Sequence, residues 1–150
     1  VNKKRTASAK LLVTINKLVQ EYDIKYAIHN HGPDMPELFP NAESGIEMIK
    51  DMDKRVGLCL DIGHQFRDGK DPVAAIVKYA DRIHDIHIKN VTAPTKAGGG
   101  IEMPRGRSIC RPWSRRCARS VIRAHAVWSM RKTWLIRCWV LQSRSAISAA

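Results

Sequence analysis

Acid is missing from one end of this chain. Residues 103–150 contain no Asp or Glu, while residues 1–102 hold all 14 acids beside 15 of the 26 Lys and Arg. The remaining 11 basic residues, ten of them Arg, supply almost the whole net charge of +12 from the last 48 positions. Cysteine is scarce, and its four widely spaced copies exclude a disulfide framework, so a reduced, cytoplasmic chain is the expectation. Long apolar runs are absent as well: none approaches the roughly 18 residues that a membrane-spanning helix needs. No Met or leader pattern opens the chain at Val1, so it is expected to be a piece of a longer protein. Its 150 residues, 44% of them apolar, correspond to one domain with a real core and exclude a disordered or fibrous chain.

What is present in the first two thirds alternates between two periodicities. Leu11, Ile15, Leu18, Val19 and Tyr22 recur at helical spacing, which predicts an amphipathic helix over 8–22. Ile24–Asn30 is a short apolar run that ends in polar residues, as a buried strand does. His31–Asn41 carries three Pro and a Gly and reads as a loop of functional length. Ile46 and Ile49 mark a helix over 42–53, and Val56–Asp61 (VGLCLD) a second buried strand. Asp71–Pro72 is an N-cap followed by Pro at the first helical position, with Val73, Ile76, Val77 and Ala80 as the stripe. Arg82–Lys89 is the third strand. The order α-β-α-β-α-β with near-continuous apolar strands predicts an α/β fold with a parallel sheet.

Polar chemistry gathers at one end of each strand. His29, Asn30 and His31 close the first, Asp61 and His64 the second, His87, Lys89 and Asn90 the third. Ligands in parallel α/β folds bind at the carboxyl ends of the strands. A lone histidine there is ordinarily a hydrogen-bonded structural residue. Three strand ends that deliver His, Asp and His to one rim make a nitrogen and oxygen shell for a metal. His84 has the parity of Ile86 and Ile88, so it is expected to face the helices in a structural role. Cys59, inside a strand, is expected to be a small buried hydrophobe. Gly98–Gly100 lacks the strand and helix of a dinucleotide loop and reads as a substrate-covering loop or a turn.

YAIHNHG (26–32), VGLCLDIGH (56–64), DRIHDIHIKN (81–90) and GGGIEMPRGR (98–107) resemble the sugar phosphate isomerase/epimerase family, the xylose isomerase-like TIM barrels. The resemblance covers about residues 15–107, and LDxGH followed by HxK is its most specific part; residues 1–14 match poorly. It implies the carboxyl-terminal half of a (β/α)8 TIM barrel, with the first β/α units absent. It further implies a divalent metal (Mn, Mg, Co or Zn) that polarises a small sugar while a proton moves next to the carbonyl. Carried over by position, Asp61 and His87 match metal ligands, and His29 stands where many members have Glu. His31, His64 and Lys89 match substrate-facing positions, with His64 and Lys89 as the catalytic pair. The same superfamily includes inosose dehydratases, which the His29 replacement favours, and endonuclease IV-like repair enzymes. The expected partner is a small sugar or sugar phosphate; neither a membrane nor nucleic acid is expected.

After Arg107 the family's final Glu-bearing strand is replaced by an Arg-, Trp-, Cys- and Ser-rich stretch. The genetic code explains that composition if one base has been lost near Arg107. Trp128–Arg131 can be TGG-AGT-ATG-AGA, which one base earlier, after a pyrimidine, reads Leu-Glu-Tyr-Glu. Ser108–Trp113 likewise reads back to Ile-Asp-Leu-Pro-Ala-Leu, and Lys132–Ser143 to an acid-bearing string. Residues 1–107 are therefore expected to be a partial barrel. Residues 108–150 are expected to be a frame-shifted, irregular or poorly ordered basic tail without a domain. Resequencing the codons for Gly106–Ser114 is expected to show an extra base; an intact present frame would overturn this reading. Were the tail genuine, its Arg and Trp would suit single-stranded nucleic acid, the rival function. Cys110, Cys117, Cys138 and His125 lack the close pairs of a structural zinc site. Without the final Glu and the first strands the chain alone is expected to be inactive, with self-association through open barrel edges.

Overall fold

Short apolar runs between glycine and proline breaks set the elements. The computed structural model describes residues 3–102, Arg105 and Arg107, and the backbone of 122–126 and 136–140. Helix α1 (Lys3–Glu21) leads into strand β1 (Tyr26–His29) and a 3-10 turn at Gly32–Asp34. Helix α2 (Ala42–Ile49), strand β2 (Val56–Asp61), helices α3 (Ile62–Arg67) and α4 (Pro72–Lys78) and strand β3 (Ile83–His87) follow. β1, β2 and β3 are parallel neighbours with β2 in the middle, the α/β arrangement read from the sequence.

Strand alternation sorts β2 into two faces. Val56, Leu58 and Leu60 are at most 2% exposed and join the core with Leu12, Val19 and Ile49 of the helices. Gly45 brings α2 onto this face: a Cβ there would come within 2.7 Å of Leu58 Cδ2. Gly57, Cys59 and Asp61 occupy the opposite face, and because β2 has a neighbour on both edges all six of its residues are buried.

The helices are fixed at their ends by side chains. Asn41 and Ser44 form a reciprocal capping box on α2. Gln65, fully buried, accepts the Ala42 N–H at 2.8 Å, and its amide donates to Glu43 at 3.2 Å. Arg82 donates to the carbonyls of Ile49 and Met52 past the other end of α2. Asp71 caps α4 through the Val73 N–H, with Pro72 in the first turn, as its sequence predicts.

Two expectations are corrected, and one helix is added to those read from the sequence. The buried stripe of α1 is Leu12, Ile15 and Val19, while Leu11, Leu18 and Tyr22 are exposed on the neighbouring stripe. The segment after β2 is helical: α3 has only six residues and no apolar period, but Asp61 caps it. The register between β2 and β3 steps from Leu58↔Ile83 to Cys59↔Asp85, so one residue of β3 is extra. That residue is His84, and the shift breaks the parity argument. Its imidazole fills the space over Gly57, where a Cβ would come within 2.6 Å of it, and its Nε2 lies 3.0 Å from the Lys54 carbonyl. His84 therefore lies over the Gly57 face of β2 and not in the helix layer.

Past Lys89 the chain forms a bridged loop. Val91 pairs with Gly100, the Thr92 N–H donates to Gly99 and the Gly98 N–H to Thr95, which makes the glycine run part of a turn. Within the stretch expected to be irregular, β4 (Ile122–Ala126) and β5 (Ile136–Val140) are antiparallel strands. β5 meets β3 at His87↔Arg137, giving the order β1-β2-β3-β5-β4. Cys110, Trp113, Cys117, Trp128 and Trp134 lie outside the described residues, as do the side chains of His125, Cys138 and Trp139. No helix among the described residues is long and apolar enough to cross a membrane.

Candidate functional site

Asp61 is the last residue of β2 and the cap of α3, so one side chain joins the sheet to the helix that follows. Its Oδ1 accepts the His64 N–H at 2.8 Å, which leaves Oδ2 for the site. Asn30 holds the Asp61 backbone from the neighbouring strand. The Asn30 Nδ2 donates to the Asp61 carbonyl at 3.1 Å, and the Asp61 N–H donates to Asn30 Oδ1 at 2.7 Å. Both residues are at most 4% exposed.

Four imidazoles surround this carboxylate. The His29 ring lies 4.6 Å from His87, 4.7 Å from His31 and 6.1 Å from His64, centre to centre. His29 Nε2 is 3.7 Å and His64 Nε2 3.9 Å from Asp61 Oδ2, both longer than hydrogen bonds. Lys89 Nζ stands 3.0 Å from His64 Nε2. The strand ends thus bring together His29, His31, Asp61, His64, His87 and Lys89, all six of the residues singled out from the sequence.

Electrostatics separates their protonation states. Burial pushes His64 down to about 4, and Lys89, His29 and Arg67 add to this against the opposing charge of Asp61. His64 is therefore neutral at pH 7 and accepts from the Lys89 ammonium. Burial, then His29, lowers His31 below its ordinary value. Burial works to raise Asp61, but His29, His64 and Lys89 outweigh it and hold the carboxyl below its ordinary value. The rim combines an ionised acid, a neutral imidazole and an ammonium group.

Two glycines make the arrangement possible. A Cβ at Gly63 would come within 2.7 Å of the Lys89 carbonyl and 2.8 Å of Lys89 Cβ, so only glycine lets α3 start against the end of β3. Gly32 has φ of +71°, and a Cβ there would come within 2.9 Å of His64 Nδ1. Arg67 then ties the outer loops together, donating to Asp34 at 2.7 Å and to the Lys96 carbonyl at 2.6 Å.

The residues fit a divalent ion. His29 Nε2 is buried without a hydrogen-bond partner among the described residues, an imidazole nitrogen left for another ligand. Donor atoms of His29, Cys59 and His87 lie within 4.8 Å of one another. Cys59 is buried, as expected for a strand cysteine, but its sulfur is among imidazoles and not only among apolar groups. Sequence parity puts it on the face of Asp61, two residues on, but its neighbour His29 follows only from the β1–β2 register. The roles of Asn30 and Gly63 were not legible without their contacts.

A family model for xylose isomerase-like TIM barrels matches residues 4–116. The chain belongs to this family. The match includes most of the 1–14 stretch that the motifs alone left out, and it runs past Arg107. As a member of the xylose isomerase-like TIM barrels, the chain has three parallel strands and their helices as part of such a barrel. It is similar to the rhizopine catabolism protein MocC of Rhizobium meliloti, 32% identical over 85 residues, which are 57% of this chain and 25% of that protein. It is also similar to inosose dehydratase of Clostridium tetani, 29% identical over 91 residues, 55% of this chain and 27% of the enzyme. The chain spans about a quarter of the length of these relatives. The six rim residues lie at or just past the carboxyl ends of β1, β2 and β3, the end at which parallel α/β folds bind ligands.

Proposed function

We propose that this chain is the site-bearing part of a divalent-metal-dependent sugar or sugar phosphate isomerase or epimerase, which moves a proton next to a carbonyl. The observation that carries this reading is the neutral His64 held 3.0 Å from Lys89 beside the ionised Asp61. His29, Asp61 and His87 would hold the ion, which when bound polarises a carbonyl or hydroxyl oxygen of the substrate. His64 takes or returns the proton once substrate displaces Lys89 from its Nε2, because the neutral ring has a single acceptor nitrogen and in the resting site that nitrogen accepts from the ammonium. Lys89 donates to His64, and its ammonium stabilises negative charge that develops on a substrate oxygen. His31, exposed at the rim and lowered by its partial desolvation and by His29, hydrogen-bonds a substrate hydroxyl. Dehydration of a cyclic polyol ketone is the second reading, favoured by the inosose dehydratase relative and by His29 at a position where many family members carry an acid. It uses the same proton removal, followed by loss of a neighbouring hydroxyl as water.

Residues 108–150 we read as the product of a shifted frame that replaces the family's last carboxylate. The chain alone is accordingly expected to bind metal and a small polyol ketone without turnover. Co2+ titrated calorimetrically into the full chain should bind, and ketose or inosose binding followed by NMR should then require the metal. Lys89→Ala and His31→Ala should each weaken that sugar binding by about tenfold, the loss of a charged or paired hydrogen bond. Sugar binding that ignores metal would sink the proposal, and turnover by this chain would overturn the expected inactivity.

A further inference from the structure

We infer that Cys59 is a thiolate ligand of the rim metal, which makes the site one for a thiophilic divalent ion such as Zn2+ or Co2+. The inference rests on the reading that the rim holds a divalent ion, and it adds a ligand that the oxygen and nitrogen set lacks. Cys59 lies directly across from His29 in the β1–β2 register, and His87 lies opposite Asp61 on the next strand. All of them belong to the face of the sheet away from the α1–α2 core.

Geometry closes around the sulfur. Three atoms no more than 4.8 Å apart share a centre no more than about 2.8 Å from each, against bonds of about 2.0–2.3 Å for nitrogen and sulfur to zinc. The remaining half ångström is within side-chain rotation. Asp61 is less available than a free carboxylate, because Oδ1 is committed to the cap of α3. A set of two imidazoles and one thiolate selects zinc or cobalt over magnesium, manganese or calcium. The thiol proton passes to solvent as the metal–sulfur bond forms, and no electron changes hands.

Cobalt reads the bond directly. The full chain carrying Cys110→Ser, Cys117→Ser and Cys138→Ser leaves Cys59 as the one thiol. Titrated with Co2+, it should show a thiolate-to-cobalt charge-transfer band in the near ultraviolet together with visible ligand-field bands. Adding Cys59→Ser should abolish the charge-transfer band and weaken Co2+ at least about tenfold, no less than losing an outer-sphere partner costs. Ligand-field bands without charge transfer, or a band that survives Cys59→Ser, would overturn the thiolate ligand while leaving the rim metal in place. Absence of any cobalt band would overturn both. X-ray absorption at the zinc edge of the same Cys110→Ser, Cys117→Ser, Cys138→Ser chain tests the bond without mutating Cys59. Sulfur at about 2.3 Å supports it, and a shell of nitrogen and oxygen alone refutes it.

Discussion

Asp61→Asn is expected to leave the chain folded and to cut its affinity for a divalent ion at least about a hundredfold. Outer-sphere partners of a metal are themselves worth about 10–100-fold, and a ligating carboxylate is worth no less. The asparagine oxygen can still accept the His64 N–H, since Asn and Asp cap helices almost equally well. The Asn30 contacts go to the backbone of residue 61 and survive the change. Only the charge is lost. Asp61→Ala removes the cap as well and should add a stability loss of about 0.5–2 kcal/mol. Calorimetric metal titration separates the two effects from urea unfolding of the same variants. Parent-like metal binding by the Asp61→Asn variant would remove Asp61 from the ligand set.

Gly63→Val is expected to dismantle the rim without replacing any of its functional residues. The new Cβ would press on the Lys89 carbonyl at 2.7 Å and on Lys89 Cβ at 2.8 Å, and a carbonyl is backbone that cannot rotate aside. Either α3 or the exit of β3 must move, and the 3.0 Å contact between Lys89 and His64 goes with it. Overpacking of this kind costs about 1–3 kcal/mol. The larger consequence is at His64, which should titrate closer to 6.5 in NMR once Lys89 retreats and water enters. Gly99→Ala supplies the control, because nothing lies within 4 Å of the added methyl group. An unchanged His64 titration in Gly63→Val would show that the glycine is not what holds the pair together.

The sequence was most legible where one local rule acted alone. The short apolar run VGLCLD, the Asp71–Pro72 helix start and the polar ends of the three strands each needed only nearest neighbours, and each is found in the structure. Legibility failed where two elements negotiate. The α1 stripe depends on which way the helix rolls against the sheet, so the buried residue proved to be Leu12 and not Leu11. The facing of His84 depends on a one-residue slip between β2 and β3 that neither strand encodes by itself. Helix α3 is held by its cap and by Gln65 reaching α2, contacts 22 to 23 positions apart in sequence. Convergence of the six rim residues was readable because parallel strands share one carboxyl end. The place of Cys59 among the imidazoles required the register.

The Asn30 side chain donates to and accepts from Asp61 in the manner of one more peptide unit of β1. The main chain is thereby released from the sheet a residue early, and the His31 and Gly32 N–H groups turn to the carbonyls of Phe39 and Pro40. A single amide works as a splice between two regimes. On one side is a strand whose register cannot change, on the other a loop closed on itself. Changes confined to the middle of the loop, residues 35–38, consequently leave the Asn30–Asp61 splice in place, while Gly32 against His64, Asp34 on Arg67 and Asn41 at the start of α2 tie the loop's two ends to the rim.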